Sequence, residues 1–247
     1  IFFFILFYII NYKDVYARCS FEGENTLTCD AQGGEVPQDF SGTLTMKDGG
    51  TLNVGGERFQ FKKDGSAVIK SGKVTDLKDA EKIETSSGTQ ATDVTSANFN
   101  QEREHFDSAE TIQRGTGTFT DVENADFYPN GDYDIQLAAS VEQDGIKIIN
   151  GRGIKYRNGE ITAEYAETFV RGNSISLNIN SLGVKKQSFS VESASKVVSG
   201  CNSFDNVKDS EFEVIGDDIK ATISSNATLN ITDCSYRDIE FESKGNG

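Results

Sequence analysis

The sequence predicts an all-β protein made of short strands and tight turns, and three observations support this prediction. Apolar residues two positions apart, with polar residues between them, recur in GTLTM (42–46), GTLNV (50–54) and ERFQF (57–61). This alternation is typical of strands with one buried face. Segments such as KDGG, KKDG and RNG separate the runs and have the composition of turns. The chain holds 24 Gly, 2 Pro and no Trp, so its turns rely on Gly and Asn more than on Pro.

One segment departs from this alternation. VTDLKDAEKIET (74–85) places Val74, Leu77 and Ala80 three residues apart. This spacing is close to that of a helix face and predicts one or two helical turns there.

The spacing of the strands favours a particular architecture. Leu44, Leu52 and Phe59 follow one another at steps of eight and seven residues, and residues 146, 154 and 161, all Ile, repeat these steps. A strand of four or five residues with a short turn gives this step, either in a parallel β-solenoid or in an antiparallel meander or β-sandwich. Four-residue strands would make a meander only about 13 Å across, which is narrow for a sandwich. The spacing therefore predicts a parallel β-solenoid, with the antiparallel arrangement as the alternative.

A degenerate internal repeat supports the solenoid. VTSANFN (94–100) resembles VENADFY (122–128), and FDSAETI (106–112) and VESASKV (191–197) share an apolar-x-x-Ala core. In this style of repeat, residues 40–241 resemble secreted right-handed parallel β-helix proteins, although no family motif matches residue by residue. The resemblance implies a scaffold that carries adhesins and structural proteins as well as polysaccharide lyases and hydrolases, so the fold by itself does not select a function.

The chain begins with ten apolar residues, five of them aromatic, followed by a polar segment. Val15 and Ala17 fit a secretory cleavage site, which predicts that residues 1–17 are the remnant of a signal peptide that lacks its charged start. An uncleaved anchor is the alternative. We expect residues 18–39 to form an N-terminal cap with a disulfide and residues 40–247 to form the solenoid domain. Secretion or display at the cell surface follows from this interpretation.

The four cysteines are even in number and follow a signal-like segment, which indicates disulfides. Proximity in sequence favours the pairs Cys19–Cys29 and Cys201–Cys234, although four cysteines allow three pairings. Asn226 and Asn230 each begin an N-glycosylation sequon. They would share one strand face, which must point outward if both carry glycans.

The formal net charge of −15 makes nucleic acid and anionic membrane surfaces poor partners. We expect no membrane insertion after signal cleavage and an extracellular protein or glycan as the partner. The segment VENADFYPNGDYDIQL (122–137) is the best candidate for a cofactor, because Asp126, Asn130, Asp132 and Asp134 could offer oxygen ligands to Ca²⁺. Its PNGD run also has the composition of a simple turn. No other cofactor is predicted.

The sequence gives no catalytic motif. His105 is the only histidine, and a Ser-His-Asp arrangement would need it, with Asp107 orienting the ring; no GxSxG nucleophile turn accompanies it. We therefore predict an extracellular structural or adhesive module with no catalytic activity of its own. The alternative is a polysaccharide lyase or hydrolase that uses carboxylates.

Overall fold

The structure is a computed structural model that describes residues 19–21, 26–29, 34–36, 39–200, 202–215, 218–225, 228–231 and 242–243. Regular structure in this part of the chain is entirely β, without a helix. The predicted all-β class is thus confirmed. The chain divides into two compact units, Ile1–Gly115 and Thr116–Gly247.

The described part of the first unit contains nine strands. They are β1 (Cys19–Phe21), β2 (Thr26–Cys29), β3 (Gly34–Glu35), β4 (Gly42–Met46), β5 (Gly50–Val54), β6 (Glu57–Lys70), β7 (Lys73–Glu84), β8 (Gln90–Phe99) and β9 (Glu104–Arg114). From β6 to β9 each strand pairs antiparallel with the next. The short strands β4 and β5 pair with opposite halves of β6, and β2 and β3 add to them in parallel.

Ten strands belong to the second unit in the residues that the structure describes. They are β10 (Gly117–Phe127), β11 (Tyr133–Gln143), β12 (Ile146–Arg157), β13 (Glu160–Arg171), β14 (Ser174–Val184), β15 (Ser188–Ser199), β16 (Asn202–Ile215), β17 (Asp218–Ser225), β18 (Thr228–Ile231) and β19 (Glu242–Ser243). From β10 to β16 each strand pairs antiparallel with the next. The strands β17 and β18 pair with opposite halves of β16, and β19 joins β17 in parallel.

The predicted parallel coil is not confirmed, because the ladders of both units are mostly antiparallel. The RNG turn shows the physical reason. Arg157 pairs with Glu160 across a two-residue loop, and Asn158 and Gly159 within it have φ values of 51° and 85°. Two consecutive residues with positive φ make the turn that reverses a strand into a hairpin.

The long strands do not run straight, because they fold back on themselves near the middle. Phe119 and Phe127 both belong to β10, yet their ring centroids are 5.1 Å apart. Phe204 and Phe212 of β16 are 5.8 Å apart. Eight residues of a straight strand would span about 26 Å. Each such strand therefore contributes one half to each of two facing layers of its unit, and the aromatic core lies between the two halves.

In β10, and in every second strand after it, the bend occurs at residues with left-handed backbone conformation. In β10 these are Asp121 and Asn124, with φ values of 45° and 51°. Asp and Asn tolerate this region better than other residues with a side chain. The same pair of positions recurs in every second strand of the second unit, at steps of 28 or 29 residues: Asn150 and Gly153, Asn178 and Ser181, Asn206 and Asp209. A unit of two strands is thus repeated, and we call each bend a corner.

The corners explain why 74–85 was predicted to be helical. That prediction is wrong, because the segment belongs to β7, where Val74, Leu77, Ala80 and Ile83 are all buried. Asp79 sits in this run with a φ of 54°. A bulged residue adds one position to the alternation, so buried residues three apart can imitate a helix face.

The corners also explain the step of seven and eight residues. Leu44 and Leu52 lie on β4 and β5, either side of the Lys47–Gly49 bridge, while Leu52 and Phe59 are separated by the turn at Gly55 and Gly56. All three are fully buried. The predicted short strands are thus halves of folded strands, joined alternately by corners and turns.

Candidate functional site

The predicted calcium loop is the hairpin loop between β10 and β11. The amide of Tyr128 donates to the Asp132 carbonyl at 2.9 Å, and the Gly131 amide donates to the Tyr128 carbonyl at 3.0 Å. The Asn130 carboxamide oxygen accepts from the Asp132 amide at 3.1 Å. PNGD is therefore a hydrogen-bonded turn.

The carboxylates beside this loop already have a cationic partner. The guanidinium of Arg157 donates to Asp134, and its Nε lies 3.9 Å from Oδ2 of Asp132. It also donates to the carbonyls of Tyr133 and Tyr156 at 2.9 and 2.8 Å. Its central carbon lies 5.0 Å from the ring centroid of Tyr128, within the range of a cation–π contact. Arg157 thus joins the loop to the end of β12.

The tyrosines around Arg157 are held in their neutral form. Burial, reinforced by the charges of Asp134 and Asp126, raises the pKa of Tyr128 above its usual value. Burial likewise raises the pKa of Tyr133, whose ring stacks on Tyr156 at a centroid distance of 5.3 Å. These phenols can donate hydrogen bonds but cannot act as bases near neutral pH.

The structure brings three of the four predicted calcium ligands together. Asn130 donates to Asp132 at 2.9 Å, and Asp132 and Asp134 both lie at Arg157, while Asp126 stands opposite Asp134 in the β10–β11 ladder. Within the described ranges, no three His, Cys, Asp or Glu side chains form a group that could hold a metal ion. Calcium binding here stays a prediction, in which the ion would compete with Arg157 for the same oxygens.

A second polar cluster surrounds Glu104, which is only 9% exposed. Its carboxylate accepts hydrogen bonds from Thr85 at 3.0 Å, from Ser87 at 2.5 Å and from Thr89 at 2.6 Å. Arg114 forms an ion pair with it at 2.5 Å. Glu104 and Arg114 are the first and last residues of β9, so this ion pair also shows that β9 is folded back. The cluster joins the two ends of β9 and fixes the turn between β7 and β8.

Sequence reasoning missed Glu104, because QEREHFDSAE looks like a charged loop. A signal was nevertheless present. Phe106 is buried, and the alternation of a strand places residue 104 on the same face. A glutamate in phase with a core phenylalanine predicts a buried carboxylate that needs partners.

His105 lies in β9 rather than in an exposed loop, and its side chain is 20% exposed. Its Nε2 lies 3.1 Å from Oδ1 of Asp107. The pKa of Asp107 is lowered by a hydrogen bond from Ser96 and, to a smaller degree, by His105. His105 and Asp107, two members of the Ser-His-Asp arrangement considered from the sequence, are therefore in contact. The Ser96 hydroxyl binds the carboxylate, whereas a nucleophile would have to face the ring.

The remaining predicted sites are described only in part. Cys29 is disulfide-bonded and stands opposite Cys19 in the β1–β2 ladder. The predicted pair Cys19–Cys29 fits this register and stays a prediction. Cys201, Cys234 and Asn226 lie outside the described residues, as do the signal-like residues 1–17. Asn230 belongs to β18, opposite Ser203.

Comparison with protein-family models, with curated proteins and with solved structures finds no match to this chain. In the described part of the chain, no helix has the length and hydropathy to span a membrane.

Proposed function

We propose that the chain is a secreted or cell-surface structural or adhesive module, which binds an extracellular protein or glycan and catalyses no reaction itself. The observation that carries this proposal is the repeated folded strand. Repetition of one hairpin unit places equivalent outward residues side by side in register, as in other repeat architectures that bind through an extended surface.

One outward surface of the second unit illustrates this arrangement. Val170, Ile175 and Val198 stand opposite one another on β13, β14 and β15, with Leu177 beside them. Ile175 is 40% exposed, which is unusual for a large aliphatic side chain in this protein. The other three are half-buried, and an apolar patch of this kind on a regular sheet favours contact with another molecule.

The polar clusters support a structural role as well. The Glu104 carboxylate is shared among three hydroxyls and an arginine, and Asp134 is paired with Arg157. Groups engaged in this way stabilise turns and are poorly placed to exchange protons with a substrate. The net charge of −15 favours partners other than nucleic acid and anionic membranes.

The proposal can be tested with the full chain immobilised on a surface and exposed to arrays of glycans and extracellular matrix proteins, with and without calcium. Saturable binding to one class of partner would support it. Absence of binding to both arrays would contradict it. Omission of calcium would lower binding only if Asp126, Asn130, Asp132 and Asp134 hold the ion.

A polysaccharide lyase or hydrolase is the second candidate, and one observation favours it. One hairpin loop brings together the carboxylates of Asp132 and Asp134, the guanidinium of Arg157 and the aromatic ring of Tyr128. Incubation of the protein with acidic and neutral polysaccharides, followed by measurement of new reducing ends, decides between the two. Release of products that is lost in D132N would favour the enzyme.

A further inference from the structure

A cluster of three cations lies at the turn between β14 and β15. The Nη1 of Arg171 donates to the carbonyls of Lys185 and Ser188 at 2.7 and 3.0 Å. Its Nη2 donates to the carbonyl of Lys186. Arg171 is the last residue of β13, so its side chain ties the end of that strand to this turn. Both lysines of the turn are exposed.

These cations differ from the other cationic groups described above, because none of the three has a carboxylate within 4.0 Å in the described structure, whereas Arg114 and Arg157 do. Burial lowers the pKa of Arg171, which is the effect expected where a guanidinium is partly removed from water without a counter-charge. Carbonyl dipoles satisfy its donors but leave its charge in place. Three cationic side chains without a carboxylate within 4.0 Å therefore lie together at one turn of a chain whose net charge is −15.

The surface next to this turn is a row of small polar residues. Lys155, Thr162, Gly183 and Ser190 stand in register across β12, β13, β14 and β15. Lys155, Thr162 and Ser190 are exposed, and Gly183 leaves the centre of the row without a side chain. We call this row, with Lys185 and Lys186, the basic strip. Strand spacing puts Lys155 about 10 Å from β14, whose end leads into the turn.

We propose that the basic strip binds an acidic oligosaccharide, with carboxylate or sulfate groups at Lys155 and at Lys185 and Lys186 and sugar hydroxyls at Thr162 and Ser190. This inference rests on the proposed function and names the partner of that module. The distance of about 10 Å between Lys155 and β14 corresponds to two sugar units and suits an oligosaccharide with spaced anionic groups. Nucleic acid has a far denser row of charges, which would extend beyond the strip onto acidic surface, beginning with Glu211 opposite Ser190.

The Arg171 side chain acts as a positioning residue in this site. Its bonds to three carbonyls of the turn hold Lys185 and Lys186 next to the strip. Lysine in place of Arg171 keeps the positive charge but lacks the planar guanidinium, whose N–H groups donate several hydrogen bonds at once. We expect R171K to bind more weakly with an unchanged salt dependence, because the number of ionic contacts stays the same.

The test compares binding of tetragalacturonate and neutral maltotetraose to the full chain by calorimetry at low and at physiological salt. We expect binding of the acidic sugar only, weakened by salt. The double variant K185E/K186E should lose at least about tenfold in affinity, because two attractive charges become repulsive. The matched control is K70E/K73E, which makes the same change at the exposed turn between β6 and β7, and it should bind like the original chain.

Equal loss of affinity in both double variants would overturn the proposal, since only overall charge would then matter. Equal binding of maltotetraose, or tighter binding of single-stranded DNA or anionic vesicles, would overturn it as well. Binding of a protein from the matrix array in the absence of tetragalacturonate binding would refute the basic strip and leave the adhesive function standing. If the chain binds neither the arrays nor tetragalacturonate, both the basic strip and the adhesive function are refuted.

Discussion

The folded strand makes a prediction that a straight strand does not, namely that Phe119 and Phe127 interact directly. We consider the variants F119L and F127L and the double variant, because leucine keeps the site apolar. Both phenylalanines are 1% exposed, and their rings meet edge to face at an interplanar angle of 68°. Each single replacement should lower the free energy of unfolding by about 1–2 kcal/mol, as is common for a core residue.

The coupling between the two replacements measures the contact. An edge-to-face aromatic pair contributes about 0.5–1.5 kcal/mol beyond the area it buries. The double variant should therefore be less destabilised than the sum of the single variants by about that amount. Unfolding in urea, followed by circular dichroism since the chain lacks Trp, gives all three free energies.

The control pair is Phe119 with Phe212, which lies six strands away along the same unit. At strand spacing this separation is about 29 Å, so their effects should add within about 0.5 kcal/mol. If the changes in the free energy of unfolding caused by F119L and F127L also add within about 0.5 kcal/mol, β10 does not fold back. The two-layer description of the unit would then fail.

Three further predictions follow from the polar clusters and the corners. E104Q should lower the free energy of unfolding by about 3 kcal/mol, because it removes a largely buried carboxylate charge that pairs with Arg114; a change below about 0.5 kcal/mol in urea unfolding would contradict the structural role of the cluster. G49A should be more destabilising than G159A by about 1 kcal/mol in urea unfolding: both glycines have positive φ, but a Cβ at residue 49 would lie 2.9 Å from the backbone oxygen of Phe61, whereas one at residue 159 meets nothing within 4 Å. The lowered pKa of Asp107 stabilises the fold above the usual aspartate pKa of about 4, and this contribution disappears as the pH falls through the lower folded value. The free energy of unfolding of D107N should thus differ from that of the original chain at about pH 6 and converge with it at low pH. A difference that stays constant with pH would refute this linkage.

Much of the fold was visible in the sequence where strands are short and one-sided. GTLTM and GTLNV are the strands β4 and β5, because alternation needs only five residues to define a buried face. The RNG turn was visible too, since Asn-Gly is the strongest short-range hairpin signal. The direction of the strands did not follow from these signals, because a turn and a corner have similar lengths and both use Gly, Asn and Asp.

The corners themselves could not be predicted from local sequence. Asp79 and Asp121 have positive φ, yet an Asp within a polar segment predicts a turn, a solvated face or a bulge equally well. Only the pairing of distant strands decides among these. The repeated apolar-x-x-Ala pattern was a sequence signal for the corners, because Ala97 and Ala125 lie buried where the strands bend. Small side chains fit there because the two halves of the strand approach each other.

The candidate site was predictable to a lesser degree. Asn130 and Asp132 were recognised as turn residues with oxygen ligands, but the cation predicted for them was a calcium ion from solution. In the structure, the cation beside Asp132 is Arg157 of the same chain. Arg157 lies 25 residues after Asp132 in sequence and reaches it only because β11 and β12 pair in register. A long side chain that acts through tertiary structure leaves no local signal.

The crossing of each long strand from one layer to the other has a mechanical consequence. In an ordinary sandwich, a force that slides the sheets past each other has to break only side-chain contacts. Here the same force would pull on the peptide backbone at each corner, and several corners in a unit would share the load. Such a unit should yield by unzipping hairpins one at a time from an end, a property that would suit the adhesive role proposed above.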